Sequence, residues 1–233
     1  MVMNRSALHV HWRQILAPNR LIALLTALAF PTLAFAGSVR VVDGDTIAIG
    51  ETVYRLHGID APEAGQKCAK ASAGRWPCGK AAIEAIEALT LGRDVVCDNR
   101  GVDDYDRVIA VCRVGNEDIN AGMVKGGHAW AFTKYSNDYL SLETEARAAQ
   151  IGVFVADTQT PWDYRAERWE FVAQIAPKGC PIKGNISESG NIYHMPWSPW
   201  YDKTKITEAK GERWFCNERE ALAAGWRAPY WGR

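Results

Sequence analysis

The chain has 233 residues, of which 48% are hydrophobic and 23% are charged, and its 27 basic and 27 acidic side chains cancel. This composition excludes a disordered chain, a collagen-like fibre and a coiled coil. The zero net charge also removes the general basic field that attracts nucleic acid, so any nucleic-acid function must depend on a local site. The length accommodates one domain, or one domain and a small module.

The first 36 residues have the pattern of a secretory signal peptide. The segment contains three arginines and no acidic residue, and its apolar run covers residues 21–30. Small residues at Ala34 and Ala36 predict cleavage between Ala36 and Gly37, and therefore a periplasmic or secreted protein without a membrane anchor. The alternative is an uncleaved anchor, but a spanning helix needs about 20 apolar residues and Pro31 interrupts this run. The remaining 197 residues carry 24 basic and 27 acidic groups, a net charge of −3.

The next part of the chain alternates strand-like and helix-like patterns. Three short apolar runs separated by turn residues predict a β-meander over 39–42, 46–49 and 52–57. A long loop (60–78), a helix (79–91), two strands (94–97 and 108–114) joined by a loop (100–106), and two helices (119–125 and 140–150) follow.

The C-terminal part differs in composition. An aromatic, charged stretch over 161–172 could be helical, and residues 176–179 are the best candidate for a linker. The last 54 residues contain five of the ten tryptophans and few aliphatic side chains. They predict one short helix that begins at Asn217 and ends at Gly225.

Six cysteines in an exported chain indicate disulfides rather than metal ligands. Six cysteines allow 15 pairings, and chain order favours the local ones. These are Cys68–Cys78, Cys97–Cys112 and Cys180–Cys216. Zinc bound by Cys180, His194 and Cys216 is the alternative, but three ligands with irregular spacing match structural zinc sites poorly.

Three short segments carry the candidate chemistry. They are Val-Asp-Gly-Asp-Thr at 42–46, Arg-Leu-His-Gly-Ile-Asp-Ala-Pro-Glu at 55–63 and Asp-Asp-Tyr-Asp-Arg-Val-Ile-Ala at 103–110. Each alone is a weak signal, since Asp-Gly-Asp also occurs in ordinary hairpin turns. Together and in this order they resemble the staphylococcal nuclease (thermonuclease) family over residues 39–155. The resemblance implies an α+β fold with a five-stranded OB-type β-barrel and packed helices. It also implies hydrolysis of DNA and RNA phosphodiester bonds with one calcium ion.

The resemblance also assigns roles to individual residues. It implies that Asp45 and Asp60 are carboxylate ligands of the calcium ion. The backbone carbonyl of Ala61 would be a third ligand, although well-known members of the family have threonine there. The implied catalytic residues are Arg55, Glu63 and Arg107, with supporting roles for Asp43, Asp103 and Tyr105.

These residue types suit phosphodiester hydrolysis for physical reasons. The transition state places additional negative charge on the phosphoryl oxygens, and a guanidinium is a permanent, forked cation that binds such oxygens in pairs. Arg55 would stabilise this charge, and Arg107 would also assist the leaving alkoxide. Calcium prefers oxygen ligands and would act as an electrostatic clamp. Glu63 is then left to orient or to deprotonate the attacking water.

Aromatic residues near the predicted site have two interpretations. Trp130, Phe132 and Tyr135 lie where members of the family stack aromatic rings on a base, which would favour single-stranded substrates. For Trp130 and Phe132, burial in the core is an equal alternative, whereas Tyr135 is the better candidate for stacking. His57 lies on the same strand face as Arg55, but we interpret it as structural because the proposed chemistry needs no histidine.

The prediction for the whole chain is an exported, monomeric, calcium-dependent nuclease. Its expected segments are a signal peptide (1–36), a thermonuclease-like domain (37–158), a helical or linker segment (159–178) and a tryptophan-rich module (179–233). The last segment resembles a small domain often appended to exported bacterial nucleases, and its disulfide would compensate for a small core. The alternatives are a catalytically inactive OB-type nucleic-acid-binding protein and an accessory protein of envelope or exopolysaccharide assembly.

Overall fold

The computed structural model describes residues 38–231. The predicted signal peptide (1–36) and the predicted cleavage site between Ala36 and Gly37 lie outside the described residues. Within residues 38–231, none of the helices is both long and apolar enough to cross a membrane.

The first three strands form the antiparallel meander that the sequence predicts. They are β1 (Val39–Asp43), β2 (Thr46–Ile49) and β3 (Thr52–Leu56). Gly50, with φ of 60°, lies in the turn between β2 and β3 and takes a conformation that other residues adopt only with strain. The short strand β4 (Ile59–Asp60) follows β3 after a two-residue turn.

The segment 60–78 is more ordered than the predicted long loop. It contains an antiparallel hairpin of β5 (Cys68–Ala69) and β6 (Arg75–Trp76). The Cys68–Cys78 disulfide joins this hairpin to the first turn of α1 (Cys78–Thr90), which begins one residue before the predicted start. The hairpin and the disulfide hold a segment that its glycine- and lysine-rich sequence would leave irregular.

The next strands complete an OB-type sheet. They are β7 (Val95–Val102), β8 (Val108–Val114) and β9 (Glu117–Asp118). The strand order is β1-β2-β3-β8-β7, with β3 and β8 parallel, and β9 pairs with β8. This order of five strands confirms the predicted α+β fold of OB type.

The prediction of a loop over 100–106 is partly wrong. Strand β7 continues to Val102, because a register shift between Asn99 and Gly101 leaves Arg100 as the extra residue and pairing resumes with Gly101 opposite Ile109. Only residues 103–107 turn between β7 and β8. The Cys97–Cys112 disulfide links residues that face each other across these two strands.

Two helices and a short strand pack on this sheet. They are α2 (Ile119–Lys125), β10 (Trp130–Ala131) and α3 (Leu140–Ala148). The bounds of α2 agree with the prediction, whereas α3 is two residues shorter because Gln150 has a left-handed φ of 52°. Strand β10 pairs with β4. The main core lies between the sheet and helices α1 and α2, and it includes Ile47, Leu56, Ile59, Ile86, Ile119 and Met123.

The aromatic stretch after residue 160 is the longest helix described, α4 (Pro161–Ile175), and it extends three residues beyond the predicted range. Thr160 caps the start of this helix, because its side chain accepts a hydrogen bond from the backbone N–H of Asp163. A short 3₁₀ turn (Pro177–Gly179) follows in the predicted linker.

The tail contains a small antiparallel sheet and a short helix. They are β11 (Ile182–Ser187), β12 (Gly190–His194), β13 (Arg213–Phe215) and α5 (Glu218–Ala223), in the strand order β12-β11-β13. The Cys180–Cys216 disulfide closes this unit, and Asn217 caps α5 as the sequence predicts. The backbone N–H of Trp231 donates to the carbonyl of Val41 in β1 at 2.6 Å, so the tail contacts the barrel.

Candidate active site

Arg55 brings two separated carboxylates together. Its strand, β3, lies between β2 and β8 in the sheet. Its guanidinium donates from Nη1 to Asp45 Oδ1 and from Nη2 to Asp60 Oδ1, both at 2.9 Å. Asp45 lies in the turn before β2, and Asp60 is the last residue of β4. Both residues are buried: Asp45 is 4% exposed and Asp60 is 0% exposed.

Asp45 has further partners that keep it ionised. The hydroxyl of Thr46 donates to Oδ1 at 2.8 Å, and the backbone N–H of Ala61 donates to Oδ2 at 3.3 Å. Burial alone would raise the pKa of Asp45, but Arg55 and Thr46 outweigh it and the pKa lies below its ordinary value. Asp45 is therefore an anion at neutral pH, as a metal ligand must be.

Two glycines allow the site loops to approach the first helix. A Cβ atom on Gly44 would lie 2.8 Å from the Cβ atoms of Ala61 and Ala82. A Cβ atom on Gly79 would lie 1.8 Å from the carbonyl oxygen of Glu63. Neither position can hold a side chain without displacing the loops that carry Asp45 and Glu63.

Glu63 lies beside Asp60 and is also buried, with 7% of the residue exposed. Gln66 holds its backbone in both directions: the Glu63 N–H donates to Gln66 Oε1 at 3.1 Å, and the Gln66 N–H donates to the Glu63 carbonyl at 2.7 Å. The Gln66 side chain in turn donates to the carbonyl of Gln159 at 2.8 Å, immediately before α4. The loop that carries the predicted base is thus fixed by its own residues and by the start of α4.

Arg165 of α4 is a site residue that the sequence analysis did not identify. Its Nη1 donates to Glu63 Oε1 at 2.6 Å and to Asp60 Oδ1 at 3.0 Å, and its Nη2 donates to Asp60 Oδ2 at 2.7 Å. It lies 102 to 105 residues from its partners, far outside the three motifs. The only sequence signal is its place between Trp162 and Trp169, three and four residues away on one helix face.

Negative charge exceeds positive charge at this site. The carboxyl groups of Asp43, Asp45, Asp60 and Glu63 are close enough to influence one another, and the guanidinium groups of Arg55 and Arg165 lie between them. Burial and the neighbouring carboxylates of Glu63 and Asp45 raise the pKa of Asp43 well above its ordinary value. Burial also raises the pKa of Asp60 and of Glu63 despite the contact of both with Arg165.

This donor set fits a divalent cation with oxygen ligands. When all four carboxyl groups are ionised, they leave a formal charge of −2 against the two guanidinium groups, and one calcium ion would neutralise it and oppose the rise in the pKa values of Asp43, Asp60 and Glu63. In the described part of the chain, no group of three or more His, Cys, Asp or Glu side chains is arranged to hold a metal ion. The predicted site uses only two carboxylates, those of Asp45 and Asp60, with the carbonyl of Ala61.

Arg107 faces the same cleft from the turn between β7 and β8. Its Nε donates to Asp103 Oδ2 at 2.7 Å and its backbone N–H donates to Asp103 Oδ1 at 3.0 Å. Its guanidinium also lies over the ring of Tyr105 at 5.2 Å. Arg107 contributes to lowering the pKa of Asp45, after the larger effects of Arg55, Thr46 and Arg165. The structure therefore brings Arg107 to the cleft, where its side chain contacts the carboxylate of Asp103 and not those of Asp45, Asp60 or Glu63 among the described residues.

A cleft of about 1000 Å³ connects these groups. Its aromatic wall contains Phe132, whose ring stacks on Trp162 of α4 at 5.4 Å and 17° and meets the edge of Tyr135 at 5.1 Å. Tyr135 is 66% exposed. His57 also lines the cleft. Trp130 is buried against Phe154, so it belongs to the core.

The zinc alternative in the tail is wrong. Cys180 and Cys216 form a disulfide, and His194 pairs through Nε2 with Asn185 Oδ1 at 3.0 Å and through Nδ1 with Ser198 at 3.4 Å. Burial lowers the pKa of His194 to about 4, so it is a neutral, hydrogen-bonded core residue.

An OB-type barrel that carries buried carboxylates and arginines in one cleft defines the class of a phosphodiester-cleaving nuclease. Residues 53–155 match the family model for staphylococcal nuclease homologues, and residues 172–228 match a model described as ArfC. The chain belongs to the staphylococcal nuclease family, a family of nuclease hydrolases. The predicted family and enzyme class are confirmed.

Three similar proteins illustrate the extent of the match. The chain is 32% identical over 163 residues to a micrococcal nuclease of Shigella flexneri, covering 61% of this chain and 88% of the relative. It is 32% identical over 151 residues to an uncharacterized endonuclease of Haemophilus influenzae, covering 58% and 79%. It is 31% identical over 126 residues to succinoglycan biosynthesis protein ExoI of Rhizobium meliloti, covering 53% and 66%.

Proposed function

We propose that this protein is an exported, calcium-dependent nuclease that hydrolyses phosphodiester bonds of DNA, RNA or both. The observation that carries the proposal is the excess of buried carboxylates over guanidinium groups around Asp45 and Asp60. Burying such an excess of negative charge is unfavourable unless a cation compensates it. A calcium ion held by Asp45, Asp60 and the carbonyl of Ala61 would supply that charge and would polarise a bound phosphate.

The two predicted arginines bind the phosphate in this proposal. Arg55 is fixed by Asp45 and Asp60, so its cation is preorganised beside the ligands. Arg107 is fixed by Asp103 and directed into the same cleft, where it stabilises the leaving alkoxide. Tyr105 supports Arg107 through ring contact, and Asp43 supports the site from a position close enough to Glu63 and Asp45 for burial and their charges to raise its pKa.

Glu63 positions the attacking water. Its carboxylate is held next to Asp60, and burial keeps its pKa above that of an ordinary glutamate. A raised pKa makes the carboxylate a stronger acceptor for a proton of water. The water attacks phosphorus in line with the departing oxygen, whose proton is supplied from the solvent-connected cleft.

The substrate is a single-stranded segment whose bases stack on the aromatic wall. Tyr135 is exposed beside Phe132, and both line the cleft that contains Arg55 and Arg107. An aromatic ring can stack on the face of any base, and these faces are accessible in a single strand but not in a duplex. Because residues 37–233 carry a net charge of −3, we expect weaker binding than for a basic nuclease, since neutralisation of phosphates supplies most of the affinity.

Export and domain organisation are part of the proposal. Three disulfides join all six cysteines, which suits an oxidising periplasmic or extracellular compartment. The segment boundaries remain those expected from the sequence: 1–36, 37–158, 159–178 and 179–233. We propose that the last segment acts together with the barrel, since Trp231 pairs with Val41 and the cleft includes side chains from both.

Cleavage of single-stranded DNA by purified protein tests the proposal. We expect cleavage with calcium, less with magnesium and none with a chelator. The Glu63→Gln variant should lose about a hundredfold or more of kcat, because the amide cannot accept a proton from water. Glu84→Gln is the matched control, since Glu84 lies on the exposed face of α1 and pairs there with Lys80. Calcium-independent cleavage, or full activity in Glu63→Gln, would contradict the proposed mechanism.

A role in polysaccharide assembly is the second candidate, because one relative is named a succinoglycan biosynthesis protein. A deletion strain complemented with the Glu63→Gln variant distinguishes the nuclease function from the accessory role. Restoration of polymer secretion by this variant would favour the accessory role, and failure to restore it would favour the nuclease.

A further inference from the structure

Helix α4 places a third arginine among the catalytic carboxylates. Arg165 makes a paired contact with Asp60, from Nη2 to Oδ2 at 2.7 Å and from Nη1 to Oδ1 at 3.0 Å. The same Nη1 reaches Glu63 Oε1 at 2.6 Å. Only 24% of the Arg165 side chain is exposed, so this is a largely desolvated contact.

The position of Arg165 is fixed by aromatic contacts on both sides along its helix. Trp162, one turn before it, stacks on Phe132 of the barrel. Trp169, one turn after it, packs against Trp197 of the tail at 6.3 Å between ring centres. These two contacts fix the helix face that carries Arg165. Its guanidinium is therefore held against the carboxylates and is not a mobile surface group.

This contact uses the oxygen atoms that a metal ion would need. Both oxygens of Asp60 accept from Arg165, and Oδ1 also accepts from Arg55. Oδ1 therefore has both of its acceptor positions filled, and a cation that coordinates Asp60 through Oδ1 must replace one of these hydrogen bonds. It must also tolerate the positive charge of a guanidinium beside it, since like charges repel strongly in a partly buried site.

We propose that Arg165 is a positioning residue that acts as a tethered counter-ion: it occupies Asp60 and Glu63 in the metal-free enzyme and competes with the divalent cation for Asp60. This rests on the proposed metal site at Asp45 and Asp60. Arg165 keeps the carboxylates in place when no ion is bound, and its displacement accompanies metal binding. The release also frees Oε1 of Glu63, so that metal binding and the availability of the base are linked.

Competition differs from a purely structural role in one measurable respect. A structural salt bridge that holds α4 on the barrel would change stability when removed, with calcium affinity unchanged or weakened by loosening of the site. Removal of a competitor would instead strengthen calcium binding, because Asp60 would keep only its contact with Arg55 and would attract a cation more strongly. Calcium affinity without substrate separates these roles and does not depend on activity.

Isothermal titration of calcium into purified, oxidised protein without nucleic acid is the test. We expect Arg165→Gln to bind calcium about tenfold more tightly than the wild type, given the loss of one adjacent charge. Arg165→Lys keeps the charge but loses the paired geometry, and should lie between the two. Arg168→Gln is the matched control, because Arg168 lies on the same helix and donates to the carbonyl of Pro196 instead. Its calcium affinity should stay within about twofold of the wild type.

Thermal melts keep the proposal testable if the variant is less stable. In chelator, Arg165→Gln should melt below the wild type, and saturating calcium should raise its Tm by more than that of the wild type. Unchanged or weaker calcium affinity in a folded Arg165→Gln protein would overturn the proposal while leaving the metal site intact. Absence of calcium binding in all variants would overturn the metal site and this proposal together. Tighter calcium binding in an inactive protein would support the competition and refute only the proposed catalysis.

Discussion

Asp103 holds Arg107 at two points, through the Nε of its guanidinium at 2.7 Å and through its backbone N–H at 3.0 Å. Its Oδ1 also accepts from the backbone N–H of Tyr105 at 2.9 Å. One carboxylate therefore fixes both the turn between β7 and β8 and the direction of the arginine that it carries. The role expected for Asp103 is thus that of a residue that orients the catalytic group.

The Asp103→Asn substitution should lower kcat for single-stranded DNA about tenfold, because an amide offers one oxygen to the three N–H donors that Asp103 binds and carries no charge for the guanidinium. Calcium affinity should not change. Steady-state kinetics measure the effect, and Asp98→Asn is the control because Asp98 pairs with Arg113 on the exposed side of the same hairpin. Equal kcat in the two variants would show that Arg107 is oriented without Asp103.

The Arg55→Gln substitution should destabilise the metal-free protein by about 2–4 kcal/mol, since it leaves buried Asp45 and Asp60 without a shared partner. The pKa of Asp45 should then be higher than in the wild type, since the largest effect that opposes burial is lost. Urea unfolding in chelator measures the loss. Arg113→Gln removes a more exposed ion pair with Asp98 and should cost less than about 1 kcal/mol. Similar losses in the two variants would mean that the Arg55 contacts contribute no more than a surface pair.

The Tyr135→Ala substitution should raise KM for single-stranded DNA about tenfold and leave kcat nearly unchanged, because stacking binds substrate and transition state alike. Phe171→Ala provides the comparison: Phe171 is an exposed aromatic residue of α4, 58% exposed, and is not among the residues that line the cleft. A change in kcat alone would argue that Tyr135 acts on the reacting group instead of on a base.

His194 should make the tail sensitive to acid. Burial, and then the nearby charge of Lys183, lower its pKa to about 4 in the folded protein, whereas an unfolded histidine has a pKa of about 6.5. The unfolded state therefore binds more protons between these values, so this contribution to stability is complete above about pH 6.5 and is lost as pH falls towards 4.

Replacement of His194 by Gln should remove this dependence. The free energy of unfolding of the wild type, minus that of His194→Gln, should fall by roughly 2–3 kcal/mol between pH 7 and pH 4. Denaturation measured at several pH values gives this difference, and other titrating groups cancel in it. A difference that stays constant with pH would show that His194 is not held neutral.

The disulfides Cys68–Cys78 and Cys180–Cys216 should differ in how much they stabilise the protein. In the chain-entropy description, the Cys180–Cys216 bridge, with a separation of 36 residues, contributes about 4 kcal/mol, and Cys68–Cys78, with a separation of 10, about 3 kcal/mol. Double replacements by alanine, compared by denaturant unfolding, measure the order. A larger loss of stability without Cys68–Cys78 would indicate that this disulfide stabilises the protein chiefly by holding the loop before α1.

The motifs determined much of the site from the sequence alone. Asp45, Arg55 and Asp60 lie within 16 residues of one another: Asp45 is in the turn before β2, Arg55 is on β3 and Asp60 ends the short strand β4 that follows. The resemblance of the three motifs to the staphylococcal nuclease family predicted that these side chains form one site, and the short-range pairing that alternation and turn residues indicate helps to bring them together. The bounds of α2 and the cap of α5 at Asn217 were predictable for the same local reason.

Only the tertiary structure decided which distant groups complete the site. Periodicity shows that Trp162, Arg165 and Trp169 share a face of α4, but not what that face meets. The contact of Arg165 with Asp60 spans 105 residues and depends on how α4 packs between barrel and tail. Likewise, Trp130 is buried while Phe132 lines the cleft, although both are aromatic and two residues apart. Local sequence specifies the conformation of each segment, whereas burial and charge pairing depend on the neighbours that the whole chain brings together.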